Sequence, residues 1–316
     1  MRIVVLDRDT VTNGDLDFSA LEALGEVTYF DVISHENIAE ACANADAVII
    51  NKAEMTRDVL EKLPELKYIG LFATGYNNVD TAAAREFGID VVNAPGYSTA
   101  SVAQLVFAFI LSFATSIGDY NASVHRGDWV GSATFSYFPF RLTELAGKTL
   151  GIAGFGAIGG KVAEIGSALG MNVIVYTRTP KKNCPYRFVS KEELFAESDF
   201  LSLNCPLNEG TKNLVNRETL ALMKPDAFIV NTARGGVVDS QALADALNSG
   251  RIAGAGIDVL VKEPMRADDP LRTAKNCMIT PHIAWASKEA RDRLIAMVAE
   301  SLRLWKEGKP RFVVNP

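Results

Sequence analysis

Along the first hundred residues, short runs of β-branched and other apolar residues alternate with segments whose apolar positions recur at helical spacing. Residues 3–6, 26–30, 47–51, 68–72 and 90–93 read as strands, and 19–24, 38–43, 56–63 and 79–87 as amphipathic helices. Alternation of this kind predicts parallel pairing, because each crossover must return the chain to the same end of the sheet. The first stretch is therefore an open α/β sheet. After Pro95-Gly96 the pattern predicts one long helix over 98–118, followed by an aromatic, weakly periodic segment at 128–141. Strand signals resume at 149–153, 172–176, 200–204, 227–231, 255–259 and 278–280, which makes a second α/β sheet. The tail, 287–307, places Leu294, Met297, Val298, Leu302 and Trp305 at helical spacing and trails into Phe312-Val313-Val314. It has no strand partner nearby in the second unit, so it is assigned to the first. The division is then 1–97 plus 286–316 for one domain and 98–285 for the other.

Length agrees with that count: 316 residues make roughly two domains at about 150 each. A composition of 48% hydrophobic and 22% charged residues is that of a globular chain and excludes intrinsic disorder. A net charge of −6 with no Lys/Arg block argues against a nucleic-acid partner. The longest apolar run, 102–113, carries Gln104 and Ser112 and falls short of the ~20 residues a membrane span needs. No membrane association is expected. The opening residues reach Asp7 without a small-residue cleavage site and read as a strand rather than a signal peptide. Cys42, Cys184, Cys205 and Cys277 lack Cys-x-x-Cys spacing, which predicts free thiols in a cytoplasmic setting and no metal site.

The chemistry begins at Gly154-Phe155-Gly156-Ala157-Ile158-Gly159, which leaves a strand and opens a helix. In that context Gly-x-Gly-x-x-Gly binds a dinucleotide: Gly154 makes the tight turn, Gly156 admits the pyrophosphate, and Gly159 lets helix and strand pack closely. The phosphates meet free N–H groups at the positive end of the helix. About 20 residues on, an NAD pocket places an acid for the ribose 2′-hydroxyl. Here the chain reads Thr177-Arg178-Thr179-Pro180-Lys181-Lys182, with no acid, and a guanidinium suits a 2′-phosphate. NADP is therefore favoured over NAD. Three further segments each close a strand: Asn231 to Gly236 with Arg234, Gly256 to Pro264 with Asp258 and Glu263, and Thr280 to Trp285 with His282. Ligands of doubly wound sheets bind beyond the carboxyl ends of strands, so a cation, an acid and a proton shuttle converge there.

Taken with Ala73-Thr74-Gly75-Tyr76-Asn77-Asn78-Val79-Asp80, these motifs run in order along nearly the whole chain. The sequence resembles the D-isomer-specific 2-hydroxyacid dehydrogenases. Ala-Thr-Gly-Tyr-Asn and Pro95-Gly96-Tyr97-Ser98 point to the glycerate dehydrogenase and hydroxypyruvate reductase branch. The resemblance implies a doubly wound Rossmann-type cofactor domain, a smaller flavodoxin-like substrate domain formed by both chain ends, an active site in the cleft and a homodimer built around the long helix. It implies that Arg234 holds the substrate carboxylate and polarises the carbonyl, that His282 is the general acid/base, and that Glu263 is its carboxylate partner. A histidine titrates near working pH, and a neighbouring carboxylate favours its protonated form. The implied cofactor contacts are Gly154, Phe155, Gly156, Ala157, Ile158, Gly159, Thr177, Arg178, Thr179, Cys205, Pro206, Thr211, Thr232, Ala233 and Asp258, the last binding the carboxamide. Thr74, Gly75 and Tyr76 are the implied substrate contacts, and Trp285 either joins them or packs the core. The expected reaction is reduction of a small 2-keto acid by NAD(P)H, with hydroxypyruvate giving D-glycerate and glyoxylate a second substrate. D-Lactate and 3-phosphoglycerate are alternative hydroxy acids. A rival of another class is a cofactor-sensing corepressor of the same fold, which would oxidise little cofactor when mixed with a keto acid.

Overall fold

The computed structural model describes residues 1–316, which form two compact units: Met1–Ser98 with Trp285–Pro316, and Thr99–Ala284. In the first unit, strands β1 (Arg2–Val5), β2 (Glu26–Tyr29), β3 (Ala47–Ile50), β4 (Tyr68–Leu71) and β5 (Asp90–Val92) lie in the order β2-β1-β3-β4-β5, all parallel. This is the flavodoxin-like order. Every residue of β3 and β4 is buried, as expected where both faces of a parallel sheet are covered. One face packs Leu6, Ile50, Ile69 and Leu71 under the crossover helices. The other packs Ile3, Val5, Ile49 and Tyr68 under Ala290, Leu294, Val298 and Leu302 of the helix Lys288–Lys306. The crossover helices Ser19–Glu22, Ile38–Ala41, Arg57–Leu60 and Thr81–Glu86 are shorter than their periodicity predicts.

The tail is tied down by side chains. Asn315 accepts a hydrogen bond from the Val91 N–H at 2.8 Å and donates to the Ile89 carbonyl at 2.9 Å. At the other end of the tail, Arg291 donates to both oxygens of Asp15, each at 2.7 Å, and to the Ala286 carbonyl at 2.9 Å. The hydrogen bond from Arg291 holds the Asp15 carboxyl far below the usual carboxylate range. Because the carboxyl loses its proton more readily in the folded state than in the unfolded chain, its stabilising effect is complete above the ordinary carboxylate range and is lost as pH falls below it. Asp15→Asn should therefore lower the urea midpoint at about pH 7, and its deficit should shrink toward about pH 2.5. An equal deficit at both would contradict the pairing.

In the second unit, β6 (Thr149–Ala153), β7 (Asn172–Tyr176), β8 (Arg187–Phe188), β9 (Phe200–Leu203), β10 (Phe228–Asn231), β11 (Gly254–Ile257) and β12 (Cys277–Ile279) form one parallel sheet, ordered β12-β11-β10-β9-β6-β7-β8. The chain winds outward through β7 and β8, then returns past β6 to β9. That reversal is the topological switch point of a doubly wound sheet, where ligands bind. Two features depart from the sequence reading. β8 carries no apolar run long enough to announce it. The helix predicted over 98–118 ends at Thr115, since Ser116 adopts a left-handed conformation (φ 47°) and a second helix, Ile117–His125, starts in a new direction. The segment after it has no regular structure, yet Tyr120 Oη donates to the Phe140 carbonyl at 2.8 Å and Trp129 Nε1 to the Phe135 carbonyl at 3.0 Å. No single helix is long and apolar enough to cross a membrane.

Candidate active site

The glycine loop leaves β6 at the switch point. Gly154 has φ +93°, and a Cβ there would stand 2.7 Å from the Cys205 nitrogen and 2.8 Å from the Asn204 carbonyl oxygen, so neither the conformation nor the space admits a side chain. Gly156 precedes the helix Ala157–Ala168, with no side chain capping its first N–H groups, and nothing lies within 4 Å of the place where its Cβ would point. The loop is thus packed against β9 at one glycine and open at the other. Nearby strand ends leave two buried polar atoms without a protein partner, Asn204 Oδ1 and Thr232 Oγ1. Buried polar groups are normally satisfied, so this edge of the sheet is built for a polar ligand. These features fit a dinucleotide. Thr232 and Ala233 follow β10 directly. Past β9, Cys205 is buried, which pushes its thiol up to about 11 and keeps it neutral at working pH, and Thr211 Oγ1 donates to the Pro206 carbonyl at 2.6 Å, bracing the loop.

At the end of β7, Thr177 is half-buried while Arg178 and Thr179 are exposed. Arg178 pairs with no carboxylate. Phe155 packs edge-on against Tyr186 and Phe188, with ring centroids at 5.9 and 6.3 Å, and the Lys181 ammonium stands 5.1 Å from its centroid. The motif did not announce that cluster. Its signal was the spacing of aromatic residues around the short strand β8.

β10, β11 and β12 are neighbours in the sheet and run parallel, so residues just past their ends share one edge. Arg234 follows β10, Glu263 follows β11 and His282 follows β12. His282 Nδ1 lies 2.7 Å from Glu263 Oε2, and the other carboxylate oxygen accepts the Leu260 N–H at 2.9 Å. Arg234 is exposed, with Nη1 donating to the Ala233 carbonyl at 2.7 Å and no carboxylate pairing it. Its charge is available.

His282 has a left-handed backbone (φ 56°), which a non-glycine residue keeps only when its surroundings enforce it. Asp258 is the enforcer. Its carbonyl accepts the His282 N–H at 2.8 Å, and its carboxylate accepts Thr280 Oγ1 at 2.6 Å, the Ile283 N–H at 2.8 Å and the Ala284 N–H at 2.9 Å. Three of about four acceptor positions on that fully buried carboxylate are thus taken by the polypeptide. No motif around Asp258 signals this use.

In the first unit, Thr74, Gly75 and Tyr76 form the loop after β4, braced by Thr74 Oγ1 donating to the Ala94 carbonyl and Asn93 Nδ2 to the Thr74 carbonyl, both at 2.8 Å. Trp285 sits edge-on to Tyr97, 6.4 Å between ring centroids, and packs on the apolar layer beneath the C-terminal helix.

Nucleotide-loop geometry beside an acid–imidazole pair and an unpaired arginine defines a dinucleotide-dependent oxidoreductase, and comparison with known proteins narrows that class. The family profile for the D-isomer specific 2-hydroxyacid dehydrogenase NAD binding domain matches residues 107–284. A hydroxypyruvate reductase from Blautia hydrogenotrophica is 44% identical with all of both chains aligned, and a glycerate dehydrogenase from Methylorubrum extorquens is 39% identical over 99% of each. Among solved structures, the TT0316 protein of Thermus thermophilus superposes with a TM-score of 0.89 at 36% identity, covering 99% of this chain and all of that one. The chain belongs to the D-isomer-specific 2-hydroxyacid dehydrogenase family. It is a D-2-hydroxyacid dehydrogenase with an NAD-binding domain.

Proposed function

We propose that the chain reduces hydroxypyruvate to D-glycerate, and glyoxylate as a second substrate. The observation that carries the reading is the His282–Glu263 pair at 2.7 Å, placed one strand from an unpaired Arg234. When bound, the reduced nicotinamide supplies the hydrogen and electron pair that the carbonyl carbon receives. The chain does the rest. Arg234 holds the keto acid's carboxylate and draws electron density toward the carbonyl oxygen. His282, with Nδ1 held by Glu263, delivers a proton from Nε2 to that oxygen as it gains negative charge. The N–H groups around Thr74 and Gly75, with Tyr76 and Trp285, serve the substrate, and the remaining acceptor position of Asp258 serves the carboxamide. Relatives named hydroxypyruvate reductase and glycerate dehydrogenase support this substrate class. A panel of 2-keto acids assayed with both reduced cofactors tests it: hydroxypyruvate should give the highest kcat/KM, and a preference for pyruvate would overturn it.

NADPH is the proposed cofactor, supported by the exposed, unpaired Arg178 and the acid-free stretch 177–182. A charge-assisted hydrogen bond contributes about 1.5–3 kcal/mol. Arg178→Ala should lower kcat/KM with NADPH by about 10- to 100-fold and leave the NADH value nearly unchanged. Equal losses with both would refute the assignment.

The proposed assembly is a homodimer in the cytoplasm. Between Ile117 and Leu142 the surface exposes Ile117 (63%), Val130 (91%), Phe135 (91%) and Phe138 (75%), a concentration of apolar side chains that marks an interaction face. Light scattering should give twice the mass of one chain, and Phe135→Asp with Val130→Asp should shift it toward the single chain.

A further inference from the structure

The pair Gly235-Gly236 does not supply the backbone conformation for which glycine is usually needed, since neither residue has positive φ. Gly235 supplies space. A Cβ on it would stand 1.9 Å from the carbonyl carbon of Leu260, 2.1 Å from its oxygen and 2.3 Å from the Val261 nitrogen. All three are backbone atoms, which cannot rotate out of the way. At Gly236 the corresponding Cβ would meet only the Leu207 side chain, Cδ2 at 2.9 Å and Cδ1 at 3.2 Å, which can turn aside.

The peptide that fills the space at Gly235 opens the turn leading to Glu263. The N–H of Leu260 itself, one peptide earlier, fixes one oxygen of the Glu263 carboxylate, and the other oxygen meets His282 Nδ1. A side chain at 235 must push this peptide away, and the Leu260 N–H, joined to it through the Leu260 Cα, is re-aimed with it. We propose that Gly235 is a positioning residue: by letting the Leu260–Val261 peptide lie against the Arg234 segment, it sets the Glu263 carboxylate and, through it, the tautomer of His282. The inference rests on the reading of His282 as the proton carrier. It adds that the arginine segment and the acid–imidazole pair are held in register by a contact without a side chain. A hydrogen bond from Nδ1–H to Glu263 leaves Nε2 as the atom that takes a proton from a hydroxy acid, whereas an imidazole released from Glu263 also populates the Nε2–H form, which cannot take one there.

The chain has only His35, His125 and His282, so their ring signals can be assigned with a His282→Ala variant. Long-range 1H–15N spectra of the full-length protein at alkaline pH report the tautomer directly. In the native protein and in Gly236→Ala, His282 should be in the Nδ1–H form. In Gly235→Ala it should shift toward Nε2–H, with kcat for hydroxy-acid oxidation falling on the order of 100-fold and the affinity for reduced cofactor unchanged. Should Gly235→Ala fail to fold, amide exchange decides: the Leu260 N–H should be protected in the native protein and lose that protection alone in Glu263→Ala. The proposal is overturned if Gly235→Ala keeps the native tautomer and turnover, if Gly236→Ala disturbs them equally, or if the Leu260 amide exchanges freely in the native protein. The tautomer is read without substrate, so a native protein that reduced no keto acid would refute the functional reading separately.

Discussion

His282→Ala should lower kcat for keto-acid reduction on the order of 10²- to 10⁴-fold, the range for loss of a positioned proton donor, while reduced cofactor still binds. The variant isolates chemistry from folding. The left-handed turn at 282 is held by backbone N–H groups of residues 282–284 donating to Asp258, and these donors survive the substitution. Its thermal midpoint should stay close to that of the native protein. Glu263→Gln should fall in the same direction by a smaller factor, because the amide keeps an acceptor for the Leu260 N–H but removes the negative charge beside the ring. Steady-state rates with a circular dichroism melt check both; a His282→Ala enzyme within about tenfold of native turnover would remove the imidazole from the mechanism.

The second large effect is expected at Arg234. Arg234→Ala should reduce kcat/KM by about 10²- to 10³-fold, with KM for the keto acid raised as well as kcat lowered, because the same guanidinium meets the carboxylate in the ground state and the developing negative charge in the transition state. Since the side chain is exposed and neutralises no carboxylate, its removal should leave stability nearly unchanged. Arg234→Lys should recover only part of the loss, as an ammonium lacks the planar fork that grips a carboxylate at two points. Full recovery would mean that a point charge suffices.

Much of this architecture is legible along the chain because parallel strands covered on both faces are nearly continuous apolar runs: Ala47–Ile50, Phe200–Leu203 and Phe228–Asn231 are buried at every position, with Ser202 and Asn231 as the polar exceptions. β8 escaped because two residues, one of them Arg187, carry no periodicity. The break at Ser116 escaped because neither Gly nor Pro marks it; the new helix direction is set by tertiary contacts, among them Ser116 Oγ donating to the Arg141 carbonyl. Arg234, Glu263 and His282 were legible for a topological reason, since each closes a strand signal and neighbouring parallel strands end at one edge. Asp258 and Gly235 were not. What Asp258 does depends on one hydroxyl and three backbone donors 22 to 26 residues away, and what Gly235 does depends on a peptide that passes where its side chain would be. Such roles are written in the folded contacts, and a glycine without positive φ looks in sequence like any small residue.

The most direct measurement is the absorbance of reduced nicotinamide after adding hydroxypyruvate to the native enzyme and to His282→Ala, with D-glycerate assayed enantioselectively in the product. Cofactor oxidation matched mole for mole by D-glycerate in the native enzyme, and nearly abolished in the variant, is the predicted result. Oxidation that yields no D-glycerate, or that proceeds equally fast without the imidazole, would contradict it.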